Sequence, residues 1–163
     1  MSAACDSIPC ADSLALPGED LAYPYRLAIQ TRWGDLDPFA HVNNVTYYRF
    51  FEATLVTFLE EKAGLDLLSA PVIPFVAENR CRFLRPLART GGGTWVEGGL
   101  RVARLGTTSV TYGLALFASG TGEVAALGAW VQVFVERASG RPAPVPPSVR
   151  TALETLGRET TAI

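Results

Sequence analysis

Histidine, methionine and cysteine are nearly missing from this chain of 163 residues, which holds one His, one Met and three Cys. Cys5, Cys10 and Cys81 form an odd, scattered set. Such a set does not build a disulfide framework and fits a reducing compartment, so a cytoplasmic location is expected. A lone His41 without a CxxC pair gives no basis for a structural zinc site, and no metal is expected. Charge of one sign is missing too: 14 Lys and Arg stand against 16 Asp and Glu, a net −2. With no basic stripe interleaved with aromatics, nucleic acid is not an expected partner. No apolar run approaches the roughly 20 residues that span a bilayer, so no membrane partner is expected. The first residues lack the basic-then-apolar order of a secretory leader. GxxxxGK[ST] and GxSxG are both absent, which argues against a phosphate loop and a serine-hydrolase elbow. Gly91-Gly92-Gly93 has no lysine after it and reads as a turn.

What the chain has is apolar residues, 48% against 18% charged, enough for a sizeable single core. Residues 1–22 carry small residues, acids and prolines without a period and read as a partly disordered tail; 23–163 reads as one domain. Alternation predicts a strand over 25–33. A helix is predicted over 45–62, with Asn43 or Asn44 as its cap and Gly64 as its stop. Its first half is apolar almost all round, so it should be largely enclosed. Four strands follow, over 72–85, 94–104, 107–118 and 123–136. The first should put Phe75, Ala77, Cys81 and Phe83 on one face, and Arg80 and Arg82 on the other. The last two are apolar on both faces and belong at the sheet's centre. A short amphipathic helix over 148–157 closes an α+β layer arrangement. The sheet's second face and its edges call for a partner, most simply a second copy of the chain, giving a homodimer or homotetramer.

The chemistry concentrates in "RWGDLDPFAHVNNVTYY", residues 32–48. Asp37 lies about seven residues before a helix start, whose free N–H groups carry partial positive charge. A carbonyl or developing oxyanion fits there, and a carboxylate beside it can activate water or attack. The plainer alternative is structural throughout. Asp-Pro opens turns, Asn43 and Asn44 cap helices, and His41 donates within a turn. Asp35, two residues before Asp37, favours a structural role. Glu52 is unexpected in the apolar half of the helix and is read as facing solvent or an arginine.

The run "GDLDPFAHVNNVTYYRFFEAT" resembles the motif region of hotdog-fold acyl-CoA thioesterases, in particular the 4-hydroxybenzoyl-CoA thioesterase branch. The order strand, long helix, four strands matches that fold across residues 24–137. The resemblance implies an antiparallel sheet wrapped around a long central helix, and hydrolysis of an acyl-CoA to acid and CoA with no cofactor beyond the substrate. It assigns Asp37 as base or nucleophile, and Asn44 and Val45 as the backbone donors to the thioester oxygen. His41 and Asn43 match positions that line or brace the site. Arg104, Thr107, Thr108 and Ser109, around the Leu105-Gly106 turn, are candidates for the CoA phosphates, with Arg80, Arg82 and Arg85 as another cluster. Tyr47, Tyr48, Phe51 and Phe75 would wall an acyl tunnel. Many relatives carry "GD" where this chain has Gly93-Thr94. Another hotdog branch uses a helical glutamate, which keeps Glu52 as a rival to Asp37. A hotdog hydratase, with its D-x-N-P-x-H pattern, and a non-catalytic acyl-CoA binder are the alternative functions. Here Asp35–His41 has an Asp for that Asn and one residue more before the His.

Overall fold

A computed structural model describes residues 22–88 and 95–157. All of the expected 1–22 tail except residue 22, and the Gly91–Gly93 turn, lie outside the described residues. Five alternating segments pair antiparallel: β1 (Tyr25–Gln30), β2 (Val72–Phe83), β3 (Trp95–Leu105), β4 (Ser109–Ala118) and β5 (Val124–Glu136), in the order β1-β3-β4-β5-β2. β4, apolar on both faces, occupies the centre, and β5 lies beside it; both are buried over most of their length. The short β3–β4 and β4–β5 connections make hairpins, as Leu105-Gly106 and Ser119–Gly122 predict, but the hairpin equally expected between β2 and β3 does not form: those strands lie at different places in the sheet, β2 at the edge beside β5 and β3 between β1 and β4. One end of the sheet gathers Gln30, Val96, Phe117, Val124 and Phe83; the other gathers Tyr25, Leu105, Ser109, Glu136 and Val72.

Helix α1 (Asn44–Glu61) lies on one face of the sheet. It starts where Asn43 can cap it: the Asn43 Oδ1 accepts the Val45 N–H at 3.0 Å. It stops at Lys62, and Gly64 follows in the left-handed region at φ 65°. Asn43→Ala is expected to cost about 1 kcal/mol in urea unfolding. An unchanged midpoint would show that the cap carries no stability.

Thr46, Tyr47, Phe50, Phe51, Thr54, Leu55, Phe58 and Leu59 form the buried face of α1. Each large apolar side chain among them contributes roughly 1.5–3 kcal/mol of burial. Two glycines let the helix approach. A Cβ on Gly128 would meet the Phe51 ring at 3.0 Å, and one on Gly98 would fall 2.0 Å from Thr54 Oγ1. The expected enclosure of most of the helix does not hold among the described residues of one protomer: Val45, Arg49 and Glu52 are all exposed. A sheet of five strands covers one side of a helix, and Val45 on its other side has no cover among the described residues. Glu52 lies on that solvent side, as read from the sequence.

A second difference lies in β2. Its register slips between Val76 and Glu78, where a bulge inserts a residue. Cys81 and Phe83 pair with Gly128 and Ala126 on the α1 side, whereas Phe75 pairs with Val133 and shares the outer face with Arg80 and Arg82. Simple alternation puts Phe75 with Cys81 and Phe83; one extra residue reverses the parity. Helix α2 (Pro147–Thr155) packs Val149, Ala152 and Leu153 into the core. No helix among the described residues is long and apolar enough to cross a membrane.

Candidate active site

β1 ends at Gln30, three residues short of expectation, because the Asp35 carboxylate takes over the chain. Its Oδ2 accepts the Arg32 N–H at 2.7 Å, and Trp33–Asp35 turn into one 3-10 turn. Asp35 is buried, with the Arg49 guanidinium at 3.8 Å, and its backbone oxygen accepts the Asn43 N–H at 2.8 Å. One residue therefore ties the start of the loop to the cap of α1. That is the structural role expected of it.

Between these anchors the chain doubles back on itself. Leu36 bridges Val42, the Asp37 N–H bonds the His41 oxygen at 2.8 Å, and the Ala40 N–H bonds the Asp37 oxygen at 3.1 Å. Asp37 Oδ1 accepts two more N–H groups, from Phe39 at 2.9 Å and His41 at 3.0 Å. These bonds pin the carboxylate through one oxygen. Oδ2 has no hydrogen-bond partner among the described residues. Ala40 closes the turn at φ 62°, a conformation that costs a non-glycine residue about 1–2 kcal/mol. Strain of this kind persists where the surroundings over-determine it, as at functional loops.

The returning strand is clamped to the chain after β2. His41 bridges Ala88, and the Val42 N–H bonds the Leu87 oxygen at 2.7 Å. Tyr47, one turn into α1, accepts the Leu87 N–H at 2.9 Å on its hydroxyl, and its ring meets Phe83 edge-on at 5.0 Å. Burial pushes the Tyr47 phenol above its usual range; the Leu87 N–H works against that shift, and the Asp37 carboxylate adds to it. Tyr47 closes the first turn of α1. There the Asn43 side chain occupies the Val45 N–H, and the Asn44 N–H has no partner among the described residues. No acid sits in that first turn to neutralise its partial positive charge. Val45 is 64% exposed beside it.

Asp37, His41, Asn43, Asn44, Val45 and Tyr47 therefore meet on one loop and one helix end. Other residues expected at the site do not join them within the protomer. Phe75 is on the outer face of the sheet, 55% exposed, eight residues from Phe83 and so about 26 Å along the strand. Arg104, Thr107, Thr108 and Ser109 lie at the end of β3–β4 remote from Gln30, eight residues from Val96 at Arg104. Their turn is braced: the Thr107 and Thr108 oxygens accept the Val145 and Phe134 N–H groups, and Arg150 bonds the Gly106 oxygen. Arg82 stands next to Phe83 at the site's end of the sheet, on the outer face, while Arg85 bonds the Val124 oxygen at 2.7 Å. Tyr48 and Phe51 belong to the helix, with Phe51 fully buried as core. Cys81 lies near Tyr47 and Tyr48; burial pushes its thiol up to about 11, so it is a neutral thiol at pH 7 rather than a nucleophile.

Composition and spacing did not single out Trp33 and Phe39. They are 82% and 78% exposed, on either side of Asp37. Trp33, Gly34, Leu36, Asp37, Pro38 and Ala40 line a cavity of about 480 Å3. The signal available was two large aromatics in a loop of turn-forming residues, Gly34, Asp35, Asp37 and Pro38 among them.

A family model described as the thioesterase-like superfamily matches residues 31–153. Among solved structures, the PA5185 protein of Pseudomonas aeruginosa strain PAO1 is 47% identical, with 82% of this chain and 92% of that one covered and a TM-score of 0.78. The PA2801 protein of Pseudomonas aeruginosa is 31% identical over 81% of this chain and 99% of its own, with a TM-score of 0.74. A thioesterase of Thermus thermophilus, solved with coenzyme A and zinc, is 31% identical over 81% of this chain and 98% of that one, at a TM-score of 0.67. No curated protein sequence matches. With its helix laid on a five-stranded antiparallel sheet and its motif loop leading into that helix, the chain belongs to the thioesterase-like superfamily and has the hotdog fold.

Proposed function

We propose that the protein hydrolyses acyl-CoA thioesters to the free acid and CoA, with Asp37 as the reacting carboxylate and the Asn44 N–H as the donor to the thioester oxygen. One observation carries this: a single loop pins Asp37 through Oδ1, leaves Oδ2 open, and runs directly into a capped helix whose first N–H is unengaged among the described residues. With the carbonyl oxygen on that N–H, its carbon becomes more electrophilic, and charge that develops on the oxygen meets the positive end of the helix. Oδ2 then takes a proton from a water that attacks the carbon, or attacks the carbon itself to give an acyl-carboxylate that water opens. In either case the C–S bond breaks, the sulfur leaves as CoA thiolate and is protonated, and water supplies the acid's new oxygen. His41, fixed by its backbone to Asp37, and Asn43, through the cap, hold these two groups in register. Coenzyme A in the Thermus thermophilus relative supports CoA as the carrier.

The chain works as a homo-oligomer. β2 is an edge strand of 12 residues with Phe75, Val76 and Phe83 exposed, a template that a second copy can pair with. Wild-type protein should release free thiol from at least one member of an acyl-CoA panel and sediment as a dimer or larger. Binding without thiol release would make it an acyl-CoA binder. A change in enoyl absorbance without thiol release would make it a hydratase.

A further inference from the structure

Resting on the thioesterase reading above, we infer that Trp33 is a specificity-determining residue: its indole walls the place where the acyl or aryl group of the substrate lies. The indole is left 82% exposed, an unusual place for so large an apolar surface unless something covers it. It shares one cavity of about 480 Å3 with Asp37, within the size range of small-molecule sites. A group bound there is therefore continuous with the reacting carboxylate.

The chemistry of the cavity selects which part of the substrate enters. Leu36, Pro38, Ala40 and Gly34 complete its wall with Trp33, and no Lys or Arg among the described residues lines it. The phosphates of a nucleotide would find no cation there. An apolar chain or ring would bury both itself and the indole. The alternative direction, toward Tyr47 and Phe51, is already filled by buried side chains.

The platform is also rigid. Trp33 opens the 3-10 turn: its backbone oxygen accepts the Leu36 N–H at 3.3 Å, and the preceding Arg32 N–H is held by the buried Asp35 carboxylate at 2.7 Å. An aromatic on a fixed backbone gives up little conformational freedom on binding. Phe39, also exposed on the far side of Asp37, is not part of this wall.

The test compares wild type, Trp33→Phe and Trp33→Ala on benzoyl-CoA, octanoyl-CoA and acetyl-CoA. For Trp33→Ala, the ratio of kcat/KM for benzoyl-CoA over acetyl-CoA should fall by about tenfold or more, and Trp33→Phe should restore most of it. Equal losses on all three substrates, or none, would overturn the assignment. A second readout does not depend on turnover. Phenacyl-CoA, a thioether that cannot be hydrolysed, should change tryptophan emission in the wild type, and Trp33→Phe should abolish most of that change. Persistence of the full change in Trp33→Phe, or no change in the wild type, overturns the assignment. So does a fall in oligomer size for Trp33→Ala by sedimentation, which would make the indole an intersubunit contact. Failure of wild-type turnover with an intact emission change would sink the hydrolase reading alone.

Discussion

Asp37→Asn is expected to lower kcat for thioester hydrolysis by about a thousandfold, within the range for loss of a positioned acid–base group, and to leave the melting temperature nearly unchanged. The two halves of that result have separate causes. An asparagine at 37 keeps an Oδ1 that can accept the Phe39 and His41 N–H groups, now held at 2.9 and 3.0 Å, so the turn survives. Its NH2 replaces the open Oδ2, and an amide neither takes a proton from water nor attacks a carbonyl at neutral pH. Thiol release under saturating acyl-CoA, with a thermal melt on the same preparation, measures both. Retention of more than about a tenth of the activity would remove Asp37 from the chemistry. Glu52→Gln is the control, since Glu52 is exposed on α1 and should stay within about twofold of wild type. Loss in Glu52→Gln with Asp37→Asn active would move the reaction to the helix.

Gly98→Ala should be the most damaging added methyl among the described glycines, costing about 3 kcal/mol and lowering the melting temperature by roughly 6–12 °C. The new Cβ would lie 2.0 Å from Thr54 Oγ1 and 3.2 Å from its Cβ. Thr54 cannot easily yield: it is fully buried, and its hydroxyl donates to the Phe50 oxygen at 2.8 Å inside α1. Relief therefore requires the helix to shift off β3. Thr54→Ala added to Gly98→Ala removes the offending oxygen. It should recover about 1–2 kcal/mol, a coupling of the size expected between touching residues. Urea unfolding of the four combinations reads this directly. A single mutant within about 0.5 kcal/mol of wild type would mean that the sheet or helix relaxes freely at this crossing.

The same crossing shows what was legible beforehand. The helix was expected over 45–62 and runs Asn44–Glu61, because its ends are set by local chemistry: an asparagine that can cap and a glycine that can turn left-handed. β4 and β5 were placed centrally because residues apolar on both faces tolerate no exposed side. Asp37, His41, Asn43 and Asn44 were found together because they are sequence neighbours in one hairpin and the helix start that follows it, an arrangement fixed locally whatever the rest of the fold does. β1 overran by three residues because a side chain, that of Asp35, competes with the ladder for the Arg32 N–H, and alternation does not register such a bond. The face of Phe75 was misassigned because a bulge costs one residue and leaves no mark on composition.

By itself, then, the sequence determined the classes of the elements, the bounds of α1 to within a residue, the position of Asp37 shortly before a helix start, and the motif that marks the family. The elements follow from forces that act over a few residues: capping, turn chemistry and the two periodicities of apolar side chains; the family follows from the resemblance of the motif to known relatives. Only the tertiary structure decided which strand ends share an end of the sheet, and so that Arg104 to Ser109 and Phe75 lie far from Asp37 in the protomer while Leu87 and Phe83 close around Tyr47. It also decided that Trp33 stands uncovered beside the carboxylate. Register and strand order arise from burial summed over the whole core, where a one-residue slip reverses a face, and no short window of sequence contains that sum.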